Sequence, residues 1–236
     1  MSAQPQPSSA SPPRVLVVDD EPQIVRALKV VLREAGFQAV PAETASQALD
    51  LAAVRPPDAA IVDLVLPDGD GVEVTRRLRE WSEMPILVLS ALGEEEQKVR
   101  ALEAGADDYI TKPFGARELV ARLQAALRRA APAEQEPGVV VEGLEIDLAG
   151  RVVLRDGQPV HLTPIEFELL RVLVRNRGRL MTHRKLIAEV WGAEYVEDIQ
   201  PLRTHIARLR AKIEADGEAG PRYIVTDPGV GYRFSL

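Results

Sequence analysis

Five side chains in this 236-residue sequence stand at the ends of apolar runs, and together they are of the types that handle phosphoryl groups. Asp19 and Asp20 follow the run Arg14–Val18, Asp63 closes Ala59–Asp63, Ser90 closes Ile86–Ser90, and Lys112 stands just past Asp108–Ile110. Clustered carboxylates repel one another unless a cation intervenes, and a hard, oxygen-preferring ion such as Mg2+ suits them. With the metal and Lys112 drawing off negative charge, Asp63 can attack a phosphoryl group and form an aspartyl phosphate. Ser90 would then hydrogen-bond one phosphoryl oxygen, and Lys112 would pair with another. Taken singly, an Asp at a strand end is more often a turn residue or a helix N-cap. Five such groups at four strand ends reverse that expectation. Asp107 and Asp108 read instead as solvated or surface-pairing acids.

These groups converge only if the runs are parallel strands of one sheet. Arg14–Val18 is a continuous apolar run, as expected of a strand buried on both faces. From Pro22 to Glu34 the apolar residues Ile24, Val25, Leu28, Val31 and Leu32 recur at helical spacing, and Gly36 follows the end. Strands are expected next near Gln38–Pro41, Ala59–Asp63, Ile86–Ser90 and Asp108–Ile110, and helices near Ala45–Ala53, Val72–Trp81, Glu94–Ala104 and Ala116–Arg129. Alternation of this kind predicts an α/β, doubly wound, five-stranded parallel sheet of the flavodoxin type, with its site at the carboxyl ends of the strands. Ala130–Gly138 breaks the pattern with two prolines, a glycine and no apolar period, as a linker does. Beyond it, short strands at Val139–Val141, Leu144–Asp147, Val152–Leu154 and Val160–Leu162 precede three helical stretches. A strand–turn–strand ending, Tyr223–Val225 and Gly231–Phe234, completes an α+β unit. The expected division is a disordered tail over 1–13, a first domain over 14–130, a linker over 131–137 and a second domain over 138–236.

In the second domain, Thr163, Pro164 and Glu166 form a capping box that opens a helix. A second helix is expected over Thr182–Trp191 and a third over roughly Ile199–Ala215. In the third, Leu202, Ile206, Leu209 and Ile213 make a single buried stripe. Thr204, Arg208 and Ala211 lie opposite, flanked by Gln200, His205, Ala207 and Lys212, with Arg203 and Arg210 at the borders. An outward face with arginine, lysine, histidine and small residues suits the DNA major groove. Two preceding helices and the glycine-bearing hairpin Thr226–Gly231 make the whole a helix-turn-helix with a wing.

Composition narrows the field. A hydrophobic content of 46% is ordinary for a globular chain. The absence of cysteine excludes disulfides and Cys-ligated metals, and three dispersed histidines do not make a metal site. The apolar runs are too short to cross a bilayer. Residues 1–13 lack the basic start and apolar core of a signal peptide, so they read as a tail on a cytoplasmic protein. Residues 1–137 hold 15 Lys and Arg against 22 Asp and Glu, whereas 138–236 hold 14 of each. A neutral domain still binds DNA when its positive charge is gathered on one face.

The strings VLVVDDEP, VDLVLPDGDG, LVLSA and GADDYITKPF resemble the receiver domain of bacterial two-component response regulators over residues 14–130. HLTPIEFELL, MTHRKLIAEVWG, LRTHIARLRAKIE and GVGYRF resemble the winged-helix output domain of the OmpR/PhoB family over 138–236. Within that family, LPDGDG, PFG, HLTPIEF and EVWG look most like the potassium-responsive Kdp subfamily. The resemblance implies Asp63 as phosphoacceptor, Asp20 as a direct Mg2+ ligand, Asp19 as a mainly water-mediated one, and a backbone carbonyl of Val65 on the metal. It implies Ser90 and Tyr109 as the switch pair and a cis peptide before Pro113. Drawing Ser90 towards the phosphoryl group would let Tyr109 swing inward and change the face carrying Lys98, Val99, Leu102, Asp108, Glu118, Val120 and Arg122. On that face the resemblance implies a two-fold homodimer with inter-subunit pairs, Lys98 with Glu118 and Asp108 with Arg122. It implies a sensor histidine kinase and double-stranded DNA as partners, with RNA polymerase as a further contact, and a regulator rather than an enzyme. The expected DNA contacts fall on Gln200, Arg203, Thr204, His205, Arg208, Arg210 and Lys212, with Thr226, Gly229 and Tyr232 in the wing.

Two departures stand out. Gln200 and Pro201 occupy positions where many relatives carry an arginine, and the wing has Asp227-Pro228-Gly229 where many have Val-Arg-Gly. A larger share of specificity is therefore expected from Thr204, His205 and Arg208, and weak binding without phosphorylation. Two alternatives have different chemistry. A magnesium-dependent aspartyl-phosphate phosphatase would need an Asp at position 65, which is Val65. A phosphorylation-independent DNA-binding regulator would leave the acidic set without a purpose.

Overall fold

The computed structural model describes residues 11–91, 95–130, 138–214 and 223–235. Residues 1–10 of the tail expected over 1–13, the linker over 131–137, the helix start at Glu94 and the helix end at Ala215 lie outside them. The first unit runs β1 (Arg14–Val18), α1 (Pro22–Glu34), β2 (Gln38–Ala42), α2 (Ala45–Val54), β3 (Ala59–Asp63), a short hairpin β4 (Val65–Leu66) and β5 (Gly69–Asp70), α3 (Gly71–Arg79), β6 (Ile86–Ser90), α4 (Glu95–Ala104), β7 (Asp108–Thr111) and α5 (Ala116–Ala130). Five strands form one parallel sheet in the order β2-β1-β3-β6-β7. Alternate residues of β1 feed opposite cores: Leu16 and Val18 pack with Ala48, Ala52, Val72, Leu78 and Leu102, while Val15 and Val17 pack with Leu28, Leu32, Leu119 and Leu123. Thus α2, α3 and α4 cover one face and α1 and α5 the other, which explains why β1 shows no polar alternation. Because β1 and β3 are neighbours and β6 and β7 follow, all four functional strand ends open on the same edge.

The second unit runs β8 (Val139–Val141), β9 (Leu144–Asp147), β10 (Val152–Arg155), β11 (Gln158–Pro159), α6 (Pro164–Arg175), β12 (Met181–Thr182), α7 (His183–Val190), a single 3-10 turn at Ala193–Tyr195, α8 (Gln200–Ile213), β13 (Ile224–Asp227) and β14 (Gly231–Phe234). A four-stranded antiparallel sheet leads in, and β12, β14 and β13 form a three-stranded sheet behind α8. The strand expected over Val160–Leu162 is not formed. Asp156 (φ 50°) and Gly157 (φ 76°) make a tight two-residue turn, so the return strand begins at once at Gln158. The capping box is present, with Thr163 N donating to Glu166 Oε2 at 2.9 Å and Pro164 in the first helical position.

Candidate phosphoryl site and DNA-reading surface

Carboxylate oxygens of Asp19, Asp20 and Asp63 all lie within 4.8 Å of one another. Asp19 is fully buried, Asp63 nearly so, and Asp20 is open to solvent. Lys112 Nζ sits 3.0 Å from Asp19 Oδ2 and 3.1 Å from Asp63 Oδ2, with Glu21 Oε1 3.5 Å away. Burial pushes the Asp63 carboxyl up, only partly offset by the Lys112 charge and by the hydrogen bond from Leu64 N. Burial pulls the Lys112 ammonium down, but its bonds to Asp19 and Asp63 outweigh this and leave it raised. So Lys112 stays charged, and Asp63 is a carboxylate whose repulsion from Asp19 one ammonium only partly relieves. A small divalent cation fits this donor set: hard oxygens from three acids, one of them facing water.

Ser90 lies at the same edge with its Oγ buried, and among the described residues that hydroxyl has no hydrogen-bond partner. A buried hydroxyl without a partner is costly unless it serves a ligand or a moving group. The Lys112–Pro113 peptide is cis, in line with the resemblance. Val65, 61% exposed, opens the β4–β5 hairpin beside the acids. Two contributors carry weaker sequence signals. Glu21 has only its place after Asp20 to mark it. Gly71 packs so closely on the Asp63 carbonyl that any Cβ would collide with it, and its N–H bonds Leu64 O at 2.9 Å. That contact fixes the backbone under Asp63.

The second surface departs from expectation. The apolar stripe of α8 is buried in its own domain as the spacing predicts, but Thr204 and His205 are buried as well, His205 against the first domain. His205 Nε2 lies 3.2 Å from the carbonyl oxygen of Asp107. The Arg208 guanidinium donates to Leu102 O, at the end of α4, and pairs with Glu166 Oε1 at 3.2 Å. Lys212 also pairs with the fully buried Glu166. Of the residues expected to read DNA, Arg203 is exposed, together with neighbouring Ala207 and Ala211, and Gln200 is half-exposed. Arg210 folds back on Ile224 O and Thr226 Oγ1, Tyr232 is buried beneath it, and Gly229 (φ 75°) turns the wing. Apolar periodicity identifies one buried side of a helix; a second burial built from Thr, His and Arg leaves no such trace.

Asp107 and Asp108, expected as solvated or surface-pairing acids, are both almost wholly buried. Asp107 Oδ2 accepts from Arg79 Nη2 at 2.6 Å and from Ile86 N at 2.8 Å, and its Oδ1 accepts from Ile165 N at 3.3 Å, at the start of α6. It joins the two domains. Burial raises the carboxyls of Asp107 and Asp108, against the opposing charges of Arg79 and Arg122. In this single chain Asp108 pairs with Arg122 at 2.9 Å, and Arg122 also reaches Glu118 at 3.1 Å. Arg122 stacks 4.0 Å above the Tyr195 ring, and Lys98 lies 5.1 Å over the Tyr109 ring. Tyr109 donates its hydroxyl proton to Asp198, whose other oxygen accepts from Gln200 N at 3.1 Å at the head of α8. Val99 and Val120 are half-buried on the same α4–β7–α5 face. That face and α8 therefore cover each other.

A five-stranded parallel receiver with an acidic edge, joined to a winged helix, defines a response regulator. Family models agree: the response regulator receiver domain matches residues 15–124, and the C-terminal domain of transcriptional regulatory proteins matches 157–234. The chain belongs to the two-component response regulators of the OmpR/PhoB family. It is 50% identical to the KDP operon transcriptional regulatory protein KdpE of Escherichia coli, over 94% of this chain and 99% of that one. It is 48% identical to the transcriptional regulatory protein KdpE of Mycobacterium tuberculosis, over 93% and 98%. Among solved structures, a point mutant of RitR superimposes with a TM-score of 0.75 at 24% identity, over 94% of this chain and 98% of that one, a likeness of fold. The response regulator DrrB of Thermotoga maritima matches at a TM-score of 0.50 and 33% identity, over 94% and 99%. Among the described residues, no helix is long and apolar enough to cross a membrane.

Proposed function

We propose that this chain is a phosphorylation-switched transcription regulator whose resting form hides its dimer face and its recognition helix α8 against each other. One observation carries the reading: the acidic edge is linked through β7 to the head of α8 by the Tyr109–Asp198 hydrogen bond. A sensor histidine kinase would present a phosphoryl group to Asp63; the donor nitrogen–phosphorus bond breaks as an Asp63 oxygen–phosphorus bond forms. Asp19, Asp20, Asp63 and the Val65 carbonyl would hold Mg2+, which when bound supplies charge neutralisation for the transferred group. Lys112 would swing from pairing Asp63 to pairing a phosphoryl oxygen, and the Ser90 hydroxyl would take another. The phosphoryl group brings about −1.5 to −2 charge and three acceptor oxygens. Tyr109 would follow Ser90 inward and release Asp198. Freed, the α4–β7–α5 face would form a two-fold dimer in which Lys98, Val99, Leu102, Asp108, Glu118, Val120 and Arg122 meet a second copy.

Two α8 helices would then engage tandem half-sites, with Gln200, Arg203, Thr204, His205, Arg208, Arg210 and Lys212 towards DNA and Thr226, Gly229 and Tyr232 setting the wing. Pairing makes the second contact intramolecular, at an effective concentration on the order of millimolar. Domain limits of 14–130 and 138–236, joined by 131–137, follow from the same reading, as does action in the cytoplasm. Likeness to the KdpE proteins favours an operon for potassium uptake as target. Incubation with Mg2+ and acetyl phosphate should add one phosphoryl mass to the chain and none to Asp63→Ala; a gain that survives the substitution rejects the reading. Mapping bound genomic sites with and without phosphodonor tests the target separately.

A further inference from the structure

His205 occupies a place that a charged imidazole cannot share. Its ring is fully buried between the domains. With Nε2 facing the Asp107 carbonyl at 3.2 Å, the neutral tautomer that carries its proton on Nε2 satisfies both atoms of that contact. Nδ1 is buried without a hydrogen-bond partner among the described residues, so a proton added there would find no acceptor. Its surroundings are cationic from several sides: Arg208 on its own helix, Arg129 on α5 and Arg79 on α3. From the segment after α7 the Trp191 ring packs at 6.0 Å, bringing no charge. Glu166 of α6 is committed to Arg208 and Lys212, and the Asp107 carboxylate is committed to Arg79, Ile86 N and Ile165 N.

We propose that this seam is a proton-sensitive latch: uptake of one proton by His205 is incompatible with the docked arrangement, so acidification releases α8 without phosphorylation. The inference depends on the two domains covering each other and not on phosphoryl transfer. Burial, reinforced by Arg208, holds the docked ring down to about 3, whereas an exposed histidine titrates near 6.5. A group with a depressed value in the docked state favours that state above the free value and disfavours it as pH falls below it. The opening equilibrium should therefore rise roughly tenfold between about pH 7.5 and 5.5. Protonation of Asp107 or Asp108, whose carboxyls burial raises in the docked state, acts in the opposite sense and cannot produce this rise.

The chain has no cysteine, so Val54→Cys and Val140→Cys, both at exposed positions, accept a fluorophore pair on the full-length protein. Transfer efficiency is followed from pH 7.5 to 5.5 without phosphodonor or DNA. The expected result is a roughly tenfold gain in open chains, reduced to under about twofold in His205→Gln, which keeps an N–H for the Asp107 carbonyl. An equal rise in both proteins, or none in the parent, overturns the latch. Imidazole NMR of the parent chain guards against a variant that simply fails to dock. A docked His205 resonance that stays neutral through pH 5.5 supports the proposal, and one that titrates near 6.5 overturns it. Since no phosphoryl group is involved, failure here leaves the proposed function standing, and failure of Asp63 phosphorylation leaves the latch testable.

Discussion

The acidic edge of the receiver and the seam between the domains are both polar, both largely buried and both built around an aspartate, yet they are organised on opposite principles. At the edge, Asp19 and Asp63 share one ammonium and Ser90 holds a hydroxyl in reserve, so charge and hydrogen-bonding capacity are left over for a ligand. At the seam, Asp107 is committed on every side, to Arg79, Ile86 N, Ile165 N and His205. One site is incomplete because it reacts; the other is nearly complete because it holds. Burial of charge by itself therefore does not mark a reactive centre, whereas unmet demand for counter-charge does.

Variants on the two sides should separate cleanly. The largest effect on stability is expected from Asp107→Ala, which leaves the buried Arg79 guanidinium its backbone carbonyls but not its paired carboxylate: a loss of about 3–5 kcal/mol in urea unfolding, with the domains undocked. Replacing Arg79 and Asp107 together by apolar residues should cost less than the sum of the two single changes. A loss under about 1 kcal/mol in the single variant would show that the backbone carbonyls of Gly105, Ser82 and Met84 satisfy Arg79 without the carboxylate. Lys112→Ala should slow phosphorylation by acetyl phosphate by about 10²-fold, since it removes the cation that faces the developing negative charge, while domain docking stays as in the parent. If docking changes equally, edge and seam are not separable.

Tyr109→Phe removes only the hydroxyl that bonds Asp198. It should raise the open population about fivefold, equivalent to about 1 kcal/mol, with phosphoryl uptake at Asp63 unchanged. Fluorescence transfer between the domains reads the first quantity and intact mass the second. The smallest effect belongs to Arg203→Ala on the solvent side of α8. A few-fold loss of affinity for any recovered DNA site, with the salt slope shallower by about one, would mark a phosphate contact. A loss confined to one base position would make Arg203 a base reader instead.

The residues at the edge were legible because strand ends in a parallel sheet are a fixed consequence of βα order. Once the apolar runs at 14–18, 59–63 and 86–90 are read as neighbouring strands, Asp19, Asp63 and Ser90 must meet. Thr163, Pro164 and Glu166 likewise announced α6, because a capping box is satisfied within four residues. The hairpin at Asp156-Gly157 was legible in its turn but not in its return strand, whose start depends on both turn residues taking positive φ.

Amino-acid order alone was enough for two folded units, a set of oxygens and one ammonium gathered at a sheet edge, and a helix with one apolar stripe. Each rests on short-range periodicity or on the fixed topology of the βα repeat. It took the assembled molecule to make Asp107 a buried joint, to pair Asp108 with Arg122 within one chain, to bury Thr204, and to turn His205 and Arg208 towards the receiver. The contacts across the seam run between polar groups about a hundred residues apart, and such pairing has neither period nor composition to betray it. It exists only where two separately folded surfaces meet and satisfy one another's hydrogen bonds.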